Sequence, residues 1–354
     1  MIDSVEPSAD QPASIAARPA GPTVLVLGGT GFIGRALVKR LLQDGIGLRA
    51  LVRDRSGRAA WLGQHGVELV QGDLTDTASV AAALDGVQHV FHLARGSGTA
   101  WEDYLRLDVE PTRRLADLCC ARSIGLYYTS SIAIYDGGRA GESIAESTPP
   151  SRASLRLNAY ARAKAECESL LAQMHRERGL NVVVFRPGIV IGGTGNPRHP
   201  GVGAWPDPST CRPWGGGHHP LPFVLVDDCA DAMVRALQVP GIAGESFNLV
   251  GDARLSGNEY LDALERIAGF KIKRSPLPAW RLFAQSVAKW GVKVLAGRPE
   301  HPMPSYRYCD GLSCRASYRA DRAKQRLGWS PVAERALMIE RGIAVPVAER
   351  LAHI

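Results

Sequence analysis

Long apolar runs are missing from this 354-residue sequence: none reaches the ~18 residues of a membrane span, so no span is predicted. Residues 1–21 also lack the apolar core of a signal peptide and, being rich in Ala, Pro and Ser, are predicted to be a disordered tail. The seven cysteines form no CxxC pair and no regular framework. Their scatter indicates reduced thiols and a cytoplasmic protein, with no metal site.

The sequence also lacks a large excess of positive or negative charge. It has 42 Lys and Arg against 35 Asp and Glu, which gives a net charge of +7. The excess is spread along the chain, so nucleic-acid binding is not predicted, although a mildly basic surface favours a small anionic ligand. His89 and His92 resemble a metal-ligand pair. However, residues three apart on a strand point to opposite faces, so no metal is expected there either.

From Thr23 onward the chain alternates short β-branched runs with longer helical segments. This pattern predicts an α/β protein with a doubly wound parallel sheet of the Rossmann kind. Residues 22–190 form the predicted dinucleotide-binding domain, to which 223–250 return. The predicted strands are Thr23–Gly28, Leu48–Val52, Val67–Gln71, His89–Leu93, Leu126–Ser130 and Asn181–Phe185.

A smaller, mainly helical C-terminal substrate lobe is predicted from residues 191–222 and 251–335, with 336–354 as a terminal helix or tail. Residues 192–222 are crowded with Gly, Pro, His and Trp, which predicts a long irregular loop over the ligand cleft.

Within this lobe, apolar residues recur at helical spacing with three basic residues around them: Trp280, Phe283, Val287, Trp290 and Val294, with Arg281, Lys289 and Lys293. Such a helix could make peripheral contact with a membrane. Apolar stripes are more often core, so packing against the second lobe is favoured.

A glycine-rich turn follows the first strand and opens the first helix. Glycines 28, 31 and 34 let the backbone bend tightly, approach a pyrophosphate and pack the helix against the strand. At the end of the second strand, Arg53 stands where NAD sites usually place a carboxylate, and a guanidinium there suits the 2′-phosphate of NADP. Asp54, one residue later, could serve NAD. NADP is therefore favoured over NAD.

Tyr160 and Lys164 are four residues apart on a predicted helix, which places the phenol and the ammonium on one face. A free phenol keeps its proton at neutral pH, whereas a neighbouring ammonium and a cationic nicotinamide stabilise the phenolate. Ser130 or Ser131, at the end of the preceding strand, could hold the substrate oxygen or simply cap the loop.

Eight segments together resemble the extended short-chain dehydrogenase/reductase family, which contains NAD-dependent epimerases and dehydratases. The resemblance covers residues 23–331 and is carried by Gly28–Gly34, Gly72–Leu74, His92–Ala94, Tyr128–Tyr135, Tyr160–Lys164, Arg186–Gly188, Val226–Asp228 and Leu327–Trp329.

The resemblance implies that Tyr160 is the catalytic acid/base, Lys164 its electrostatic partner and Ser131 the substrate anchor. It also implies a homodimer. The predicted cofactor contacts are Gly28, Thr30, Gly31, Phe32, Ile33, Gly34, Arg53, Asp73, Leu74, Ala94, Thr129, Lys164 and Pro187.

Local departures from the family pattern narrow the reaction. Ile132 and Ala133 stand where dehydratases carry an Asp–Glu pair, so a dehydratase is excluded. Ile189 replaces an Asn common in nucleotide-sugar enzymes. Basic residues in the predicted loop, with Arg315 further on, nevertheless favour an anionic substrate: Arg198, His199, Arg212, His218 and His219.

Three functions follow from these features. The leading one is an epimerase or ketoreductase acting on a nucleotide-activated sugar. The alternative is an NADPH-dependent reductase or dehydrogenase of an apolar alcohol or ketone, such as a sterol-like or phenolic one. A non-catalytic dinucleotide sensor is disfavoured, because such proteins usually lose the Tyr or the Lys, and this chain keeps both.

Overall fold

The computed structural model describes residues 23–96, 98, 100–138, 141–152, 158–297 and 303–351, so the predicted tail at 1–21 lies outside the described residues. The strands, numbered in chain order, are β1 Val24–Leu27, β2 Leu48–Val52, β3 Glu68–Gln71, β4 His89–His92, β5 Gly125–Thr129, β6 Ser143–Ile144, β7 Val182–Pro187, β8 Ile189–Ile191, β9 Gly203–Asp207, β10 Thr210–Pro213, β11 Phe223–Leu225, β12 Ser246–Leu249, β13 Lys273–Arg274 and β14 Ser317–Tyr318.

Helices alternate with these strands through the first two thirds of the chain and dominate the last third. They are α1 Phe32–Gln43, α2 Ala60–Gln64, α3 Thr77–Ala83, α4 Trp101–Tyr104, α5 Glu110–Arg122, α6 Ala159–Arg178, α7 Val226–Ala236, α8 Gly257–Ala268, α9 Ala279–Leu295, α10 Tyr306–Gly311, α11 Asp321–Leu327, α12 Arg335–Ile339 and α13 Val345–Leu351.

The central sheet has seven parallel strands in the order β12-β7-β5-β4-β1-β2-β3. Its strands read as nearly continuous apolar runs because helices cover both faces. In β1, Val24 packs with Leu37 in one hydrophobic cluster, while its neighbour Leu25 packs with Leu115 in another. The predicted doubly wound α/β fold is confirmed.

The strand order reverses at β1, which lies between β2 and β4. The chain leaves β1 for β2 and β3 on one side and then crosses to β4 on the other. In doubly wound sheets ligands bind at the carboxyl ends of the strands beside such a reversal. The turn after β1 and the segment after β4 therefore face the expected ligand crevice.

The prediction of an irregular loop over residues 192–222 was wrong in part. These residues contain an antiparallel pair, β9 and β10, which is extended by β13. A Cβ on Gly203 would lie 2.5 Å from the carbonyl oxygen of Arg212. Glycine is thus needed for close strand approach here, although in the sequence it resembles a loop signal.

The predicted packing of the helix around Trp280 against the second lobe is found for part of its apolar stripe, since Phe283, Val287 and Trp290 are half-buried. None of the 17 residues of α9 is buried, and its packing partner is the short helix α10. No helix among the described residues is long and apolar enough to cross a membrane.

Candidate active site

The turn after β1 requires glycine at two positions for different reasons. Gly28 has φ +88°, and a Cβ there would lie 2.7 Å from the backbone nitrogen of Ala94. At Gly34 a Cβ would lie 2.1 Å from the carbonyl oxygen of Gly28. The first glycine brings the turn against the end of β4, and the second lets α1 begin directly beneath the turn.

The N-terminus of α1 is open. Gly31 is its N-cap residue and provides no side-chain cap, and the first turn carries no acidic residue. Its amide groups and positive dipole end therefore suit a phosphate. Thr30, Phe32 and Ile33 lie in the same turn, and the Phe32 ring approaches Gly195 from the second lobe.

At the ends of β2 and β3, the acidic side chains have local hydrogen-bond partners, whereas the side chain of Arg53 has no ion-pair partner among the described residues. The Asp54 carboxylate accepts hydrogen bonds from the amide and the hydroxyl of Ser56, which occupy it locally. Asp73 accepts from the amide and hydroxyl of Thr75, and these bonds lower its pKa, with a smaller contribution from nearby Arg53. The Arg53 guanidinium is exposed and makes no ion pair with the described residues.

The ammonium of Lys164 is held at the carboxyl end of β5. Its Nζ donates to the carbonyl oxygen of Thr129 at 2.8 Å and lies 4.8 Å from the centre of the Tyr128 ring. The side chain is only 7% exposed. One of its three N–H groups is used in this way, which leaves the others to face Tyr160, whose ring centre is 6.0 Å away.

Three hydroxyl side chains lie at the last residue of β5 and the two residues after it, and two of them are buried without a partner among the described residues. Thr129 Oγ1 and Ser130 Oγ make no hydrogen bond within the described part of the chain. Ser131 is half-buried, and its Oγ accepts from the amide of Ala133 while keeping its own proton free to donate. Because unpaired buried hydroxyls are costly, Thr129 and Ser130 are suited to a polar ligand at this edge.

Arg95, which the sequence analysis did not single out, is exposed beside the predicted catalytic tyrosine. Its guanidinium carbon lies 5.5 Å from the centre of the Tyr160 ring. Among the described residues it has no ion-pair partner. It follows His92–Ala94 at the end of β4, and its place at a carboxyl strand end is the signal that could have identified it.

His92 is a buried structural residue behind Lys164. Its Nε2 lies 3.0 Å from the hydroxyl of Thr112, which itself donates to the carbonyl of Asp108. The hydroxyl therefore accepts from His92, which fixes the proton on Nε2. Burial, with the positive charge of Lys164, lowers the pKa of His92 to about 3, so the imidazole is neutral beside the ammonium.

Arg186, which belongs to one of the segments that carry the family resemblance, has a structural role. It forms an ion pair with Glu168 at 2.6 Å, with both side chains about nine-tenths buried. It also donates to the hydroxyl of Tyr135 and the carbonyl of Glu146. This network ties α6, which carries Tyr160, to β7, which ends in Pro187.

The three predicted substrate arginines have separate surroundings. Arg198 donates to the carbonyl of Pro208 and lies 5.7 Å from the ring centre of Phe270. Arg315 forms an ion pair with Asp310. Arg212 lies on β10, and its guanidinium has no ion-pair partner in the described ranges. Substrate binding by these three residues stays a prediction.

These features fit a dinucleotide. The turn and the open helix end suit a pyrophosphate. Arg53 lies at the end of β2, where it would meet the adenine ribose, and the unpaired hydroxyls with Lys164 lie at the end of β5, where they would meet the nicotinamide. No group of three or more metal-ligating side chains occurs in the part of the chain that the structure describes.

Comparisons with known proteins identify the family of this chain. Residues 24–249 match the model of the NAD dependent epimerase/dehydratase family. The chain is 27% identical over 333 residues to the 2-alkyl-3-oxoalkanoate reductase of Shewanella oneidensis, covering 90% of this chain and 84% of that protein.

Solved structures share the fold over almost the whole chain. The crystal structure of gox2253 aligns with a TM-score of 0.75 at 25% identity, covering 94% of this chain and 99% of that one. The UDP-glucuronic acid 4-epimerase of Bacillus cereus, solved with UDP-glucuronic acid and NAD, aligns with a TM-score of 0.71 at 20% identity, covering 92% and 99%. The chain therefore belongs to the NAD dependent epimerase/dehydratase family, of the extended short-chain dehydrogenase/reductase type, and is an NAD(P)-dependent oxidoreductase or epimerase.

Proposed function

We propose that this enzyme is an NADP(H)-dependent reductase of a ketone that carries a carboxylate close to the reacting carbonyl. The observation that carries the proposal is the unpaired guanidinium of Arg95 beside the ring of Tyr160. A cation in that position would attract an anionic group on the substrate a few bonds from the carbon being reduced.

Tyr160, Lys164 and Ser131 divide the chemistry in this proposal. When NADPH is bound, it would supply the hydride that the ketone carbon receives. The Ser131 hydroxyl donates a hydrogen bond to the ketone oxygen and orients it. The Tyr160 phenol gives its proton to that oxygen, and Lys164 stabilises the phenolate that is left. In the direction of alcohol oxidation the same phenolate takes the proton back.

NADP is preferred over NAD in this proposal because the two candidate side chains at the adenine ribose differ in availability. The Asp54 carboxylate, which would hold the 2′-hydroxyl of NAD, is occupied by Ser56. The Arg53 guanidinium remains open to a 2′-phosphate.

A 3-oxoalkanoate is the simplest substrate of this description, because its carboxylate and ketone are separated by one carbon. The Shewanella oneidensis relative is named for reducing 2-alkyl-3-oxoalkanoates. Alkyl substituents on such a substrate match the alternative of an apolar ketone better than the sugar hypothesis does.

A nucleotide-activated sugar is the second candidate, and Arg212 is the observation that favours it. Its guanidinium, on the hairpin of the second lobe, is open to a diphosphate. The fold is also shared with an epimerase solved with UDP-glucuronic acid. In that case the enzyme would act as an epimerase or ketoreductase, and Arg198, Arg212 and Arg315 would bind the diphosphate.

Cofactor turnover separates the two candidates. The purified protein is incubated with NADPH or NADH and, in turn, a 3-oxoalkanoate and UDP-glucuronic acid. The proposal predicts net NADPH oxidation with the oxo acid. Conversion of the sugar nucleotide by tightly retained NAD, without net oxidation, would establish the second candidate instead.

Replacing Arg95 by Met tests the carboxylate contact. A charge-assisted hydrogen bond is worth about 1.5–3 kcal/mol, so kcat/KM for the oxo acid should fall about 10- to 100-fold. The methyl ester of the same acid should react equally well with both proteins. Arg113→Met, an exposed arginine of α5, is the matched control. An equal loss for acid and ester would remove Arg95 from substrate recognition.

A further inference from the structure

Helix α9 differs from every other long helix of the described chain because it buries none of its residues. Large exposed hydrophobic side chains concentrate there. Trp280 is 58% exposed, Val292 67% and Leu295 89%, and Val294 is exposed as well. Only four such side chains lie elsewhere in the described chain: Met303, Tyr306, Leu337 and Val345. The first two, Met303 and Tyr306, follow α9 closely in the sequence.

The exposed apolar residues of α9 lie on one face. Trp280, Ala284, Ala288 and Val292 are spaced four apart, and all four are exposed. An adjacent side of the helix holds Phe283, whose ring meets that of Tyr306 in α10 with 6.0 Å between centres. One apolar face is thus packed on the protein, and a second faces outward.

Basic residues accompany the outward face, and acidic residues are missing from it. Between Lys271 and Gly297 the sequence has six Lys and Arg and no Asp or Glu, while the whole chain has a net charge of +7. Asp262 and Glu265 compensate Arg274. The three basic residues of α9 itself form no ion pair with described residues: Arg281, Lys289 and Lys293.

We infer that α9 binds the surface of an anionic lipid bilayer and holds the enzyme there as a peripheral protein. An amphipathic helix with Trp and aliphatic side chains on one face and Lys or Arg beside them matches an interfacial helix. At 17 residues, about 25 Å, and with three charges, it lies along a bilayer and does not cross it.

A second copy of this chain suits the face less well. A twofold interface applies the same patch from both copies, so it would bring two uncompensated basic stripes together. An anionic bilayer supplies both the apolar phase and the opposite charge, and each basic residue near such a surface contributes about 1 kcal/mol, about fivefold in partitioning.

Vesicle co-sedimentation of the full chain tests this inference. The wild-type protein should pellet with vesicles of phosphatidylcholine containing phosphatidylglycerol, much less with phosphatidylcholine alone, and less at high salt. Val292→Asp should lower the partition coefficient about tenfold or more, and Lys289→Gln about fivefold. Val345→Asp, at an exposed apolar residue outside α9, is the matched control and should bind like the wild type.

Three results would overturn the inference. The first is equal pelleting of the wild type and Val292→Asp, and the second is no pelleting with anionic vesicles at low salt. The third is a concentration-dependent dimer, measured by light scattering, that Val292→Asp dissociates, since this would make a second copy the occupant. Thermal unfolding of each variant, measured in parallel, shows that the fold is retained.

Discussion

The carboxyl edge of the central sheet differs from two predicted substrate arginines of the second lobe, Arg198 and Arg315, in whether polar groups have partners within the protein. At the sheet edge the protein leaves polar groups open: the N-terminus of α1, the hydroxyls of Thr129 and Ser130, and the guanidinium groups of Arg53 and Arg95. In the second lobe, Arg198 and Arg315 have partners from the protein itself.

The difference separates groups available to a ligand from groups that support the structure. A buried polar group without a partner is destabilising, so a set of them at one edge is expected where a ligand completes the hydrogen bonds. A guanidinium already paired within the protein must lose that contact before it can bind a substrate. Open groups should therefore affect function, and paired groups should affect stability.

Tyr160→Phe is the largest expected effect on the functional side of this comparison. Removing the hydroxyl removes the proposed proton donor, and general acid catalysis contributes a rate factor of typically 10²–10⁴, so kcat should fall about 10³-fold. Dinucleotide affinity, measured by fluorescence titration, should change only a few-fold. Turnover near that of the wild type would exclude Tyr160 as the acid.

Arg186→Met should give the largest effect on stability. It leaves the carboxylate of Glu168 buried without its partner, and breaking a buried ion pair typically costs about 3–5 kcal/mol in the free energy of unfolding. Arg178→Met is the control. It breaks an exposed ion pair with Asp117 and should cost under about 1 kcal/mol in urea unfolding. Similar losses for both variants would contradict the structural role of Arg186.

Arg53→Ala should weaken NADP binding about tenfold or more while changing NAD binding only about twofold, because only NADP presents a 2′-phosphate to the guanidinium. Calorimetric titration of both dinucleotides measures the ratio. Equal losses for NAD and NADP would mean that Arg53 lies outside the ribose pocket.

The smallest expected effects concern the second lobe. Arg212→Ala should raise the KM of an anionic substrate a few-fold, and Arg198→Ala should change it less than about twofold, because Arg198 already bonds to Pro208. Steady-state kinetics with the preferred substrate provide both values. A larger rise in KM for Arg198→Ala than for Arg212→Ala would contradict the expectation that unpaired arginines matter more for substrate binding than paired ones.

The sequence predicts the first half of this protein well because its signals are local. Buried parallel strands appear as apolar runs, and the glycines at 28 and 34 are dictated by contacts within one turn. Tyr160 and Lys164 are four apart on one helix, so their shared face follows from helical geometry.

Other features depend on contacts between distant segments, and local patterns did not reveal them. Gly203 marks close strand approach in a hairpin, not a loop. Phe283 of α9 packs against Tyr306 as the spacing predicts, but a second apolar face of this helix is exposed because little of the described chain covers it. Arg95 gains its meaning only from the distant Tyr160, which the fold brings to 5.5 Å.

We propose that the phenol of Tyr160 and the ammonium of Lys164 meet the nicotinamide at the carboxyl edge of the sheet. A crystal structure of the enzyme with NADP bound would test this placement. We expect the nicotinamide ring beside Tyr160, its ribose hydrogen-bonded to Lys164 and the pyrophosphate over Gly28–Gly34. A nicotinamide on the other side of the protein from Tyr160 would contradict it.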